Sequence, residues 1–222
     1  MGLRAVFFDA GNTLVFADRE KTLAPLKSRG VSIPEETIFA AERAARRFRD
    51  VNAGDPSHTD QQYWNIYYEE LLSKLPGNDD LLPDLTAAAR NSSSWSVVPP
   101  GTREILLRLK LRYRLAVISN SDGHIADLFE RVGLADCFET ITDSGNVGFQ
   151  KPHPEIFRAA LRSLDVAAEQ SVYIGDVYSI DVAGALAAGM QAIIMDPYGT
   201  YAGNGIPRVT RLAELEHLLP AP

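Results

Sequence analysis

Cysteine occurs once in this chain, at Cys137, so no disulfide can close within it. No apolar run approaches the roughly 20 residues of a membrane span; the first apolar stretch, residues 3–8, is short and broken by Arg4. A charged segment followed by an apolar one is missing from the start, so secretion has no support and a cytoplasmic protein is the expectation. Positive charge is also scarce. The 22 Lys and Arg face 29 Asp and Glu, a net charge of −7, which argues against a broad nucleic-acid surface while leaving room for a small anionic ligand. The four histidines, His58, His124, His153 and His217, have no metal-ligand spacing, so a zinc site is not expected. What is present is 222 residues with 45% hydrophobic content, enough for one large domain or a core with a smaller module.

Two patterns divide the chain. Residues 3–9 read as a short buried strand, the centre of a parallel sheet. From 18 to about 93, apolar residues recur at helical spacing, as in Ile38, Ala41, Ala45 and Phe48, then Tyr63, Ile66, Tyr67 and Leu71. A wholly helical insert of four helices is expected there, punctuated at 30–34, 54–57 and 76–79. After it the pattern alternates: helix 104–111, strand 115–119, helix 125–132 closed by Gly133, strand 140–142, helix 155–164 led by Pro154, strand 171–174, helix 179–188 closed by Gly189, strand 192–195 and a final helix 212–219. Strand and helix units of this length imply an α/β protein with a parallel, doubly wound sheet.

In such sheets ligands collect outside the carboxyl ends of the strands. Those ends carry Asp9 in VFFDAGNT, Ser119 and Asn120 in LAVISNS, and Gly175-Asp176 in VYIGDVYSID, with Lys151 in GFQKPHPEIF just before a helix. Two carboxylates, a hydroxyl and a lysine make a phosphate-handling set: a nucleophile, a cation site and two groups for anionic oxygens.

In this order the segments FFDAGNTL, VISNS, GFQKPHPEIF and IGDVYSIDVAGALAAGM resemble the four motifs of the haloacid dehalogenase (HAD) superfamily over essentially the whole chain. The resemblance implies a Rossmann-like core of residues 1–16 and 95–222, a helical cap of residues 17–94 inserted after the first strand, and Mg²⁺-dependent phosphoryl transfer. It casts Asp9 as the nucleophile that becomes an aspartyl-phosphate, Thr13 as fixing the loop and the phosphoryl group, and Ser119 and Asn120 as substrate-binding. Lys151 neutralises charge on the phosphoryl oxygen and on Asp9, while Asp9, Asp176 and the Gly11 carbonyl hold the metal. Asp181 stands behind them, ordering a metal water or the lysine. A cap closing over the cleft favours a small phosphorylated metabolite as partner, with no nucleic acid and no membrane; the sequence does not set the oligomeric state.

One position departs from the resemblance. Phosphatases of the family usually carry a second Asp two residues after the nucleophile, as general acid and base, and here that position is Gly11. General acid–base catalysis is worth roughly 10²–10⁴-fold, so turnover of alkyl phosphates is expected to be weak, and Asn12 does not titrate. Three readings stand: a phosphatase that is slow or prefers good leaving groups; a 2-haloacid dehalogenase, which needs no acid but typically has Tyr at that position and lacks the Asp176 equivalent; and a non-catalytic binding module. A C–P bond hydrolase would need a cap lysine for a Schiff base, and none is assigned.

Other features have structural explanations. Arg43, Arg46 and Arg47 are expected on a wet helix face, with a cap arginine reaching an anionic substrate as the alternative; Tyr63, Trp64, Tyr67 and Tyr68 are expected in the core of the insert rather than as a substrate platform, and Asp122 as the cap of the helix beginning at Ile125. His124 is expected at a surface helix start, with replacement of the missing proton donor as its alternative role.

Overall fold

The computed structural model describes residues 2–53 and 60–220; the turn expected at 54–57 and His58 lie outside the described residues. The chain forms two compact units, one comprising Ala17–Trp95 and Tyr198–Thr200, the other the N-terminal segment to Phe16, Ser96–Pro197 and the segment from Tyr201 onward.

The first unit contains α1 (Arg19–Thr22), α2 (Ala24–Ser28), α3 (Glu35–Val51), α4 (Asp60–Ser73) and α5 (Leu82–Arg90), five helices among the described residues where four were expected. The extra break falls at Leu23, because Pro25 in the first turn of α2 has no N–H to donate to α1 and its ring crowds the carbonyl four residues back. Ile38, Ala41 and Ala45 form one stripe of α3 and pack with Tyr63, Tyr67 and Leu71 of α4 and Leu85 and Ala89 of α5. The α4 aromatics meet edge to face, Tyr63 to Trp64 at 5.0 Å and Tyr67 to Tyr68 at 4.9 Å, a geometry worth about 0.5–1.5 kcal/mol per pair beyond area burial.

The wet face expected for the α3 arginines holds for Arg47 but not for Arg46, which is fully buried. Four residues after Glu42, it shares that residue's helix face; its guanidinium lies 4.8 Å from the ring centre of Tyr198 and its Nε 3.9 Å from Glu42 Oε2. Burial raises the Glu42 carboxyl, and the charge of Arg46 works against that rise. Tyr198 is far away in sequence, so no local pattern could have shown that Arg46 has an aromatic partner.

The second unit is built on the sheet. The strands in chain order are β1 (Ala5–Phe8), β2 (Phe16–Ala17), β3 (Trp95–Val97), β4 (Arg114–Ser119), β5 (Thr140–Asp143), β6 (Ser171–Gly175), β7 (Gln191–Met195) and β8 (Arg208–Val209). Six of them form one parallel sheet in the order β5-β4-β1-β6-β7-β8, and β2 and β3 pair separately. Around the sheet lie α6 (Thr102–Lys110), α7 (Ile125–Arg131), α8 (Ser144–Val147), α9 (Pro154–Ser163), α10 (Ala183–Ala187) and α11 (Leu215–Leu218).

Alternation along each strand decides which helices cover which face. Val6, Phe8, Val117 and Ile174 point toward Leu106 of α6, Phe129 of α7 and Leu215 of α11. Ala5, Phe7, Ile118 and Tyr173 point the other way, toward Ile156, Phe157 and Ala160 of α9 and Ala185 of α10. Covered on both faces, all four β1 residues are buried, as the apolar run had suggested.

The helix expected at 179–188 is preceded in the structure by a π-helical turn, Tyr178–Val182, that widens the chain before α10. The final helix opens as a 3₁₀ turn, Leu212–Glu214, before α11. Strands β2, β3 and β8 were not expected, because two or three residues carry no period.

Candidate active site

β1 lies at the point where strand order reverses, β4 and β5 running to one side and β6 to β8 to the other. Its carboxyl end is therefore the crevice where an open α/β sheet admits a ligand. Asp9 continues the ladder by donating its N–H to the Ile174 carbonyl at 2.8 Å. The chain then turns back: the Ala10 carbonyl accepts from the N–H groups of Leu14 and Val15 at 3.0 and 2.9 Å, and Asn12 takes a left-handed φ of 54°. Inside this loop Thr13 is buried and its Oγ1 has no hydrogen-bond partner. An orphaned hydroxyl is rare in a core and suits a site that receives a polar ligand.

β4 ends at Ser119, in register with Asp143 on β5 and itself buried. The next residue, Asn120, turns its amide onto the Lys151 backbone: Oδ1 accepts from Lys151 N at 2.7 Å and Nδ2 donates to Lys151 O at 3.0 Å. The resemblance casts Asn120 as substrate-binding; in the structure both ends of its amide hold the lysine's main chain. That long-range pairing has no trace in local sequence.

From this anchored backbone the Lys151 side chain reaches the centre of the site. Its ammonium donates to Asp9 Oδ1 at 2.7 Å, Asp181 Oδ1 at 2.7 Å and the Tyr173 hydroxyl at 2.8 Å. Asp181 is held from its other oxygen, which accepts from the N–H groups of Asp176 and Val177 at 3.0 and 2.9 Å. Ligand atoms of Asp9, Asp176 and Asp181 all lie within 4.8 Å of one another. Thus Asp9, Lys151, Asp176 and Asp181 are gathered at one place. Both Asp181 oxygens are committed, one to the Lys151 ammonium and one to the backbone amides.

Gly175 makes the return of Asp181 possible. A Cβ there would collide with Cβ and Cγ of Asp181 and stand 2.7 Å from its Oδ2. Gly175→Ala is expected to displace Asp181 from the Asp176 and Val177 amides and lower stability by about 1–3 kcal/mol, the range for an overpacked core. Urea unfolding checks this, and an unchanged midpoint would show that the close approach has no energetic consequence.

The electrostatics follow from burial. Desolvation, joined by the charges of Asp181 and Asp176, pushes the Asp9 carboxyl up to about 7 despite the opposing Lys151. Burial also penalises the Lys151 ammonium, but the carboxylates of Asp181 and Asp9 together outweigh it and hold the amine above its ordinary value. Three close carboxylates against one ammonium leave the site short of positive charge.

Two contributors escape sequence reasoning besides the role of Asn120. Tyr173 is a polar-tipped residue in an otherwise small and aliphatic strand, SVYIG, and a buried hydroxyl needs a partner, which is the only signal it gives. The expected cap Asp122 is replaced by Asp143, whose Oδ2 accepts the Ile125 N–H at 3.1 Å and whose Oδ1 caps α8 through Gly145 N at 2.9 Å. His124 sits exposed at the start of α7 against Asp127.

A doubly wound parallel sheet with an acid and lysine cluster at its central strand end belongs to the Rossmann-like α/β architectures that bind ligands at the strand switch point. The particular family follows from comparison: the model of the haloacid dehalogenase-like hydrolases matches residues 3–189, and the chain belongs to that family. A glyceraldehyde 3-phosphate phosphatase from Pyrococcus furiosus is 38% identical over 215 residues, spanning 90% of this chain and 83% of the relative. Haloacid dehalogenase-like hydrolase domain-containing protein 3 of Mus musculus is 28% identical over 236 residues, 99% of this chain and 93% of its own length. Among solved structures, a HAD phosphatase from Thermococcus onnurineus superposes with a TM-score of 0.64 at 21% identity, covering 99% of each chain. No helix among the described residues is long and apolar enough to cross a membrane.

Proposed function

We propose that this hydrolase is a Mg²⁺-dependent phosphatase of a small phosphorylated metabolite, with Asp9 as nucleophile. The observation that carries the reading is the buried Lys151 ammonium bound to Asp9 Oδ1 inside a cluster of three carboxylates. A dehalogenase-type site has no use for Asp176, whereas a phosphatase uses it for a cation. The name of the Pyrococcus furiosus relative supports a small phosphate ester as substrate.

The donors fit the metal. Oxygen ligands alone suit a hard cation such as Mg²⁺, and such an ion would favour the Asp9 carboxylate that burial and the Asp181 and Asp176 charges disfavour. Asp9, Asp176 and the Gly11 carbonyl would hold it. When bound, the ion supplies the charge that lets a carboxylate approach a phosphate dianion.

The chain's own residues then divide the work. Lys151 fixes Asp9 and balances its charge, and Thr13 Oγ1 and Ser119 receive phosphoryl oxygens. Asp9 forms a bond to phosphorus as the ester P–O bond breaks, and the alcohol leaves with a proton taken from water, because Gly11 has none to give. Water then attacks the aspartyl-phosphate, restoring Asp9 and releasing inorganic phosphate.

Leaving-group preference tests this. Acetyl phosphate and p-nitrophenyl phosphate are expected to turn over faster than alkyl phosphates by roughly 10²–10⁴-fold. Gly11 has no positive φ, so an Asp can be placed there without left-handed strain, and Gly11→Asp should narrow the gap. Equal rates on all esters would refute a missing acid. Chloride release from 2-chloropropionate without phosphate release would instead establish the dehalogenase reading.

A further inference from the structure

The Lys151 ammonium has three N–H donors, and each has an acceptor: Asp9 Oδ1, Asp181 Oδ1 and the Tyr173 hydroxyl. The first two are carboxylates and the third is a neutral phenol, fully buried on β6. The phenolic proton has two acceptors of its own, the Ile118 carbonyl on β4 at 3.1 Å and Asp181 Oδ1 at 3.2 Å. Tyr173 thereby ties the ammonium to the sheet itself, accepting from the lysine and donating across β1 to Ile118 on β4. Asn120 fixes the other end of the same residue at its backbone.

This arrangement distinguishes the two oxygens of Asp9. Oδ1 accepts from Lys151, whereas Oδ2 accepts no hydrogen bond among the described residues, and 12% of the side chain stays open to solvent. An oxygen already bound to an ammonium is the poorer nucleophile, since its lone pairs are engaged and its charge is stabilised.

We propose that Tyr173 is a positioning residue of this site: its hydroxyl holds the Lys151 ammonium on Asp9 Oδ1, so that Asp9 Oδ2 is the oxygen that attacks. For its chemistry the proposal rests on the phosphatase reading; for its geometry it rests on Lys151 alone.

Tyr173→Phe removes one oxygen and keeps the ring against Phe157, 5.2 Å away between centres. Two readouts on the full chain test it. The first is hydrogen exchange of the ¹⁵N-labelled Lys151 ammonium, its signal assigned by its loss in Lys151→Met. The second is kcat and KM for p-nitrophenyl phosphate with Mg²⁺. Exchange is expected to quicken at least about 10-fold, and kcat to fall about 10-fold with KM within about 2-fold, since a hydrogen bond to a charged group is lost while substrate contacts remain. A residue that only fills the core would shift the melting temperature and neither readout. Unchanged exchange overturns the proposal, and so does faster exchange with unchanged kcat. If the wild type releases no phosphate, the phosphatase reading fails on its own. The exchange comparison then decides the holding role: a 10-fold quickening supports it and no change overturns it.

Discussion

Replacing Asp9 with Asn is expected to lower Mg²⁺-dependent phosphate release by at least about 10³-fold, the order of loss seen when a nucleophile is removed. The substitution is chosen for what it keeps. Asn retains an oxygen that can accept from Lys151 where Oδ1 now lies 2.7 Å from Nζ. It also removes a carboxyl that burial already disfavours as an anion. The fold should therefore persist, and the loss should appear in kcat with an unfolding midpoint no lower than that of the wild type at pH 8. Measuring release of p-nitrophenol and inorganic phosphate together, beside urea unfolding, separates chemistry from folding. Residual activity within about 10-fold of the wild type would remove Asp9 from the nucleophile's role.

The second large effect is on stability. Lys151→Met deletes the single ammonium among Asp9, Asp176 and Asp181. Breaking a buried ion pair from one side costs about 3–5 kcal/mol, because the partner charge is left uncompensated. The pH dependence has a definite sign. The Asp9 carboxyl is raised from its ordinary 3.8 to about 7 in the folded protein, so the native state binds its proton more tightly than the unfolded chain does. Stability falls as pH rises through that window. Lys151 opposes the rise, so its removal lifts the folded value further and deepens the fall. Its own amine is held above its ordinary 10.5. The lysine stays charged across that window, so its pair with Asp9 strengthens as Asp9 ionises toward pH 7 and is lost only as pH climbs through the lysine's folded value. The cost of Lys151→Met is therefore expected to be modest near pH 4 and to grow toward its full size above pH 7. Urea titrations of both proteins at pH 4.5 and 8 measure it, and an equal cost at the two pH values would contradict the electrostatic account.

Both expectations depend on groups that differ in how much of them the chain announces. Asp9 was legible because an apolar run that ends in a carboxylate at the mouth of a parallel sheet is a local pattern. Lys151 and Asp176 were legible for a related reason, since each stands at the edge of a strand or helix whose period is visible. The aromatic core of the insert, Tyr63 to Tyr68, could also be read, because helical spacing places those rings on adjoining faces.

Tertiary structure decided the pairings that cross the fold. Arg46 looked like a surface charge until Tyr198 was found beneath its guanidinium. Asn120 lies in a segment that the resemblance casts as substrate-binding, and its amide holds the Lys151 backbone. Tyr173 gave no chemical signal beyond a hydroxyl in an apolar strand, yet it receives the third donor of the lysine. Asp143, rather than the nearer Asp122, caps α7. Sequence alone determined the parallel α/β sheet and its helical insert, together with the acids and the lysine at the strand ends, because hydrophobic period and strand-end chemistry are local properties of a chain. Which atoms those residues would hold was determined only by folding, because a hydrogen bond depends on distances that residues far apart in sequence acquire when the sheet brings them together.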